Sequence, residues 1–267
     1  MQIISQFGED CRRLREVSPL VHNITNYVAM NLSANALLAV GASPLMSSEP
    51  LEMEELSFLC DSLVINTGCI ESGQIEAMRI AAGACHTKVK PWVLDPAGAG
   101  ASRLRTDTAL ELVSEYHPSV VRCNASEIIT LDGREVRSRG VDSAASCEEA
   151  LDSAKHFAAQ YGTVVSVSGE SDLVTDGTSV FSISNGTPLM ARVTGMGCTA
   201  SALTAAFAAV DRNFLSAAVC AMALIGVVGE MAALESAGPG SFSAHFLDIL
   251  ASIDPTEAAG RINCRLL

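Results

Sequence analysis

Two hydrophobic periods alternate along this chain. Short continuous apolar runs read as buried strands at residues 19–24, Ser43–Met46, Ser62–Asn66, Trp92–Asp95, 119–122 and the strongly β-branched 163–167. Between them, apolar positions recur at helical spacing over residues 26–40, 52–59, 71–84, 106–116, Ala125–Leu131 and 147–160. Gly41 closes the first of these helices and Thr106 is a candidate cap for a later one. Ser146, with Glu149 three residues on, has the pattern of a capping box. Asp176-Gly177 predicts a hairpin turn inside residues 173–183. Two long apolar helices are expected at 199–210 and 214–234, and a further one at 243–252. This alternation predicts an α/β fold: a mostly parallel sheet with helices on both faces and an antiparallel strand late in the chain. Residues 134–146 are polar and read as a surface loop. No repeat or low-complexity linker interrupts the pattern, so residues 1–267 read as a single domain.

Composition sharpens the picture. Half the chain is apolar (49%) but only 4% is aromatic, so Ala, Val, Leu and Ile build the core and helices can pack closely on the sheet. A formal net charge of −13 lacks the basic footprint that nucleic acids require, and it argues against anionic membranes. A polyanionic substrate would need a local site, and a magnesium ion would help. Nine cysteines without a C-x-x-C pair fit reduced, mostly buried thiols in a cytoplasmic protein. The first residues carry charges where a secretory leader would be apolar. Residues 213–229 are uncharged but fall short of the roughly 20 residues of a membrane span, and read as a helix buried in a soluble fold.

In open parallel sheets, ligands bind at the carboxyl ends of the strands. Those positions here are polar and glycine-rich: Asn23-Ile-Thr-Asn26, Met46, Asn66-Thr-Gly68, Asp95-Pro-Ala-Gly98, Arg122-Cys-Asn-Ala-Ser-Glu127 and Ser168-Gly-Glu170. The most telling segment is Val193-Thr-Gly-Met-Gly-Cys198, which leads directly into a buried helix. Glycines there form a turn onto a helix N-terminus, whose free amides and dipole make an anion site. Cys198 lies in that field, which favours its thiolate. The combination points to phosphoryl transfer.

No Walker A pattern is present. Gly195-x-Gly197-x-x-Ala200 matches a relaxed dinucleotide fingerprint, but a helix follows where that motif needs a strand. Asp95 suits either a magnesium ligand or an Asp-Pro turn. Asn124 and Glu127 read as a cap with its box partner, and Glu127 could also bind magnesium through water. Arg122 has no capping role and could contact a phosphate. Met46 reads as core or as a polarizable wall for an aromatic substrate.

Taken together, Pro19-Leu-Val-His-Asn-Ile-Thr-Asn26, Ala39-Val-Gly-Ala-Ser-Pro44-Leu-Met46, Asp95-Pro-Ala-Gly98-Ala-Gly100, Arg122-Cys-Asn-Ala-Ser-Glu127 and Val193-Thr-Gly-Met-Gly-Cys198 resemble the hydroxyethylthiazole kinase family, in order along the chain. The resemblance implies a ribokinase-like three-layer α/β/α sandwich with a mostly parallel central sheet. It implies ATP-dependent, magnesium-dependent phosphorylation of the hydroxyl of hydroxyethylthiazole in thiamine salvage, by a cytoplasmic homotrimer with active sites between subunits. By the match, Met46, Gly195 and Asn26 contact the thiazole, Arg122 and Ser168 contact ATP, and Asp95 and Glu127 serve the metal. The resemblance also implies Cys198 as the catalytic residue, standing where related kinases carry an aspartate base, either as a modest base or as a spacer that shapes the anion hole. Cys123 replaces a usual glycine, and its side chain predicts a narrower nucleotide approach. Met196 replaces a smaller residue, Ser168 a threonine, and Ala97 and Ala99 valines. A pyridoxal or hydroxymethylpyrimidine kinase would share the fold, but an apolar wall at Met46 suits their more polar substrates less well.

Overall fold

A computed structural model describes residues 2–133 and 147–267; the polar segment 134–146, with Ser146, lies outside them. The chain opens with helix α1 (Gln2–Val17), an element absent from the predicted set because its charged residues interrupt the apolar stripe. Phe7, Cys11 and Leu14 nevertheless bury one face of it at helical spacing. Strand and helix then alternate through β1 (Leu20–Ile24), α2 (Met30–Val40), β2 (Ser43–Met46), α3 (Met53–Leu59), β3 (Ser62–Asn66), α4 (Ser72–Thr87), β4 (Trp92–Asp95), α5 (Arg103–Tyr116), β5 (Val120–Asn124), α6 (Ala125–Leu131), α7 (Cys147–Tyr161) and β6 (Val164–Ser168). The hairpin strands β7 (Asp172–Thr175) and β8 (Val180–Ile183) follow. The chain finishes with α8 (Met196–Val210), α9 (Phe214–Glu235), α10 (Pro239–Ser252), α11 (Pro255–Arg261) and β9 (Cys264–Leu266), of which α11 and β9 carry no clear sequence signal.

Among the described residues the strands form one sheet in the order β2-β1-β3-β4-β5-β6-β7-β8-β9. Pairs from β2 through β6 are parallel, and those from β6 to β9 are antiparallel. The hairpin forms where Asp176-Gly177 predicts it. Asp176 Oδ1 accepts from the amides of Thr178 (2.9 Å) and Ser179 (2.8 Å), and Gly177 takes φ +92°. The chain runs outward from β1 to β2, then crosses back to β3. The crevice between the carboxyl ends of β1 and β3 is therefore the topological switch point, the place where such sheets bind ligands.

Strand periodicity assigns the two faces. Val64, Val93, Val120 and Val164 pack with α1, α2, α8, α9 and α10. Leu63, Ile65, Trp92, Leu94, Val121 and Val165 pack with residues of α3 to α7. Two helical layers thus sandwich the sheet. Helices α8 and α9 are apolar on every side because neighbours surround them. Helix α9 is long and apolar enough to cross a membrane, yet 78% of its most apolar stretch is buried in this fold.

Two predicted starts shift. Ser102, not Thr106, caps α5, accepting from the Arg105 amide, while Thr106 Oγ1 accepts from Gly100 N and donates back to Ser102 O. Helix α8 begins at Met196, before the predicted start, so Gly197 and Cys198 lie within its first turn.

One buried group works against the fold. Asp10 of α1 is fully buried; Gln6 Nε2 donates to its Oδ1 (3.1 Å), but its Oδ2 has no partner. Burial, with Asp211 and Glu9 adding to it, outweighs Gln6 and Arg13 and raises its pKa to about 6. The folded state therefore holds this proton more tightly than the unfolded chain, so stability falls as pH rises from about 4 to about 6 and stays reduced above that. Asp10→Asn keeps the acceptor for Gln6 and removes the charge. It should stabilise the protein by roughly 2 kcal/mol at pH 8 and by little at pH 4, as read by urea unfolding. Equal effects at both pH values would contradict this.

Candidate active site

The last residue of a strand continues the alternation set by its core residues. Two residues beyond Val64, Val93 and Val120 lie Asn66, Asp95 and Arg122, all on the face that α8 covers. Ser168 has the same parity on β6. These side chains sit at the carboxyl ends of the strands, where the first turn of α8 meets the sheet.

Gly195 sets that meeting. It caps α8 with φ +91°, a left-handed backbone that favours glycine. A Cβ there would also lie 3.2 Å from Ala29 Cα, so its absence seats the turn against the start of α2. The leading amides of α8 have no partners within the helix. Gly197, in the same turn, leaves room for Arg122: a Cβ would lie 2.9 Å from the guanidinium Nη1. Arg122 is only 9% exposed, and its Nε is buried without a hydrogen-bond partner. An unsatisfied buried donor is costly unless a ligand completes it. A guanidinium beside free helix amides suits a phosphate.

The carboxylates stand next to this cation. Asp95 is 3% exposed, and its Oδ2 accepts from Ser201 Oγ, one turn along α8 (2.8 Å). Burial raises its pKa; Arg122, Ser201 and Asn66 oppose the rise. Glu127 completes the predicted capping box: Asn124 Oδ1 accepts from Glu127 N (2.9 Å) and Glu127 Oε2 from Asn124 N (2.9 Å). Its Oε1 accepts from Gly98 N (2.9 Å), tying the loop after Asp95 to α6. Burial chiefly raises its pKa, against those two amides, and Asp95 adds to the rise. Arg105 pins the same loop, donating to the carbonyls of Ala97 (3.1 Å) and Thr67.

Cys198 is held by two carboxamides. Asn26 Nδ2 lies 3.1 Å and Asn66 Nδ2 3.3 Å from its Sγ. The thiolate expectation does not hold. Burial first, then Asp95, pushes the thiol up to about 11, and the two asparagines with Arg122 do not reverse this. The helix field is outweighed by the loss of water and the neighbouring carboxylate. The side chain of Cys123 turns away from Arg122. This residue is fully buried on the opposite face from Arg122, with its thiol toward Ser166 O (3.8 Å).

The structure brings Asn26, Gly195, Cys198, Asp95, Arg122 and Glu127 to one locus. Met46 and Ser168 border it. Met46 ends β2 in register with Asn23, and the Ser47 carbonyl beside it contacts His22 Nε2 (3.1 Å). Ser168 is paired with Asn124 and donates to Cys123 O (3.3 Å). Asn66, Ser201 and Arg105 are absent from the predicted site. Asn66 was visible as a polar strand end, whereas Ser201 follows only once the helix start is known.

Among the described residues no three metal-binding side chains converge into a cage. Asp95 lies close enough to Glu127 to disfavour its charge. These two carboxylates are the side chains that would hold a magnesium ion through its waters, since this ion keeps most of them.

A floor that offers a buried cation and helix amides to an anion, with acids beside it, suits a kinase. The fold agrees. A ribokinase-like superfamily protein of Enterococcus faecalis aligns with TM-score 0.64 at 16% identity, covering 86% of each chain. The molecule thus has a ribokinase-like fold. The model of the hydroxyethylthiazole kinase family matches residues 11–256. A hydroxyethylthiazole kinase of Brachyspira hyodysenteriae is 49% identical over 94% of this chain and 95% of its own length. Another from Nitratidesulfovibrio vulgaris strain DP4 is 50% identical over 90% of each. The solved structure of a hydroxyethylthiazole kinase protein from Pyrococcus horikoshii aligns with TM-score 0.91 at 40% identity, covering 98% of this chain and 99% of that one. The chain belongs to the hydroxyethylthiazole kinase family.

The double tie made by Glu127 has a stability consequence. Glu127→Ala strands the amides of Gly98 and Asn124 and should lower unfolding free energy by roughly 1–3 kcal/mol. Glu127→Gln keeps one acceptor oxygen and should lose less. Wild-type stability for the alanine variant in urea would contradict this account.

Proposed function

We propose that this kinase transfers the γ-phosphoryl group of ATP to the hydroxyl of 4-methyl-5-(2-hydroxyethyl)thiazole, a step of thiamine salvage. The observation that carries the reading is the buried Arg122 guanidinium, its Nε without a hydrogen-bond partner, lying against Gly197 in the first turn of α8. Arg122 and the leading amides of α8 receive the phosphates, and Ser168 borders the nucleotide. Asp95 and Glu127 would hold magnesium through its waters. The metal, when bound, offsets phosphate charge during transfer.

The alcohol lies at the switch-point crevice, against Asn26, Gly195 and the polarizable Met46. Cys198 touches its hydroxyl. With a thiol raised to about 11, Cys198 enters the reaction protonated and orients the oxygen. A loose transition state asks for little proton removal before the phosphoryl group arrives, so positioning and charge stabilisation carry most of the catalysis.

The same reading treats residues 1–267 as one kinase domain in the cytoplasm, since both cores share one sheet. It also makes the active form a homotrimer with sites between subunits. Tyr27 and Val28, 58% and 65% exposed, adjoin Asn26, and Leu51, 92% exposed, follows the Met46 loop. A second subunit over these apolar groups would close the crevice. Light scattering should give three chains per particle.

Incubation with the thiazole alcohol, ATP and magnesium should yield the phosphomonoester by mass spectrometry. No product at high enzyme concentration would reject the reading. Gly197→Ala, whose methyl displaces Arg122, should raise KM for ATP about tenfold and leave KM for the thiazole within about threefold. Cys198→Ala should lower kcat more than substrate binding, and Cys198→Asp should retain turnover. Unchanged kcat in the alanine variant would remove Cys198 from the reaction.

A further inference from the structure

We propose that Asn66, together with Asn26, is a positioning residue that clamps the sulfur of Cys198 from one side and turns its other side to the reacting alcohol. The orientation of Asn66 is fixed by its own carbonyl. Its Oδ1 accepts from Gly68 N (2.8 Å) and from Asn26 Nδ2 (2.9 Å), so its Nδ2 must face Cys198 Sγ. Asn26 is locked likewise: its Oδ1 accepts from Ala29 N (2.9 Å), which leaves its Nδ2 for Asn66 and Cys198. Both asparagines are buried.

A cysteine that only filled space would pack against apolar groups and need no donors. Here two buried amide groups converge on one sulfur from opposite walls of the crevice, one after β1 and one at the end of β3. An amide buried without an acceptor is penalised, so the pair demands an acceptor at position 198. The clamp also sets a distance. Asn66 is paired in register with Asp95, and Asp95 is held by Ser201 on the same helix as Cys198. Sulfur and carboxylate are therefore fixed in one frame by main-chain pairing and side-chain bonds. Asn66 acts through Cys198 and Asp95. Its effect on turnover rests on the kinase reading, whereas the clamp itself does not.

A double-mutant cycle of Asn66→Ala and Cys198→Ala tests this, with kcat for the thiazole alcohol and thermal unfolding as separate readouts. Asn66→Ala should lower kcat about tenfold while both KM values stay within about threefold. In the Cys198→Ala background the same substitution should lower kcat by no more than about threefold, because the sulfur it positions is gone and only its bond to Asp95 remains. Asn66→Asp keeps the oxygen that serves Gly68 and Asn26 but loses the donors, and should reproduce the kcat loss even if the alanine variant folds poorly. Equal kcat losses in both backgrounds would overturn the positioning role. In thermal unfolding, losses smaller than the sum of the single variants support the clamp, and additive losses overturn it. That second cycle stands even if the wild-type protein fails to phosphorylate the thiazole alcohol, an outcome that would sink the kinase reading alone.

Discussion

The site depends on the way α8 starts. Its first turn must reach the carboxyl ends of β1, β3, β4 and β5 together, and only a left-handed Gly195 pressed against Ala29 brings it there. Once that contact is made, the rest follows from strand parity. Asn66, Asp95 and Arg122 share a face because they share a phase with the valines of the core. Gly197 then admits the guanidinium, Cys198 drops between two asparagines, and Ser201 meets Asp95 one turn on. Packing in the core and chemistry at the rim are therefore one problem. A shift of α8 along its axis would misplace all three contacts at once.

Charge is handled locally. The chain carries −13 overall, and its site holds two carboxylates, yet the reaction proposed for it brings in a polyphosphate. The fold answers with Arg122, left without a hydrogen bond at Nε, and with helix amides that cannot bond within α8. Their desolvation is a standing cost, offset by the packed sheet and helices that hold them in place and recovered when an anion arrives. Such a site is built for a ligand that supplies the missing bonds.

Much of this was legible in the chain itself. Strands buried on both faces declare themselves as apolar runs, and Asp176-Gly177 marks the hairpin by turn chemistry. The polar strand ends and the glycines before α8 mark the rim. Other features were hidden for physical reasons. The start of α8 is displaced because the two glycines read as a turn until a left-handed cap at Gly195 fixes their backbone. Helix α1 escaped because its charges mask a stripe that only packing against α8 and α9 reveals. The state of Cys198 was misjudged because a helix N-terminus is visible in sequence, whereas burial and a carboxylate from β4 are not.

Asn66 illustrates the remaining gap. Its type and its place at a strand end were visible, but its partner is not: Cys198 lies 132 residues away, and Asn26 lies 40 residues back. The link exists because β1 and β3 are neighbours in the sheet although β2 separates them in sequence. The crossover that creates the binding crevice thus also brings the two carboxamides within reach of each other. Function concentrates at the switch point for a mechanical reason: it is where the chain opens a gap between adjacent strands, and where side chains remote in sequence can lock one another across it.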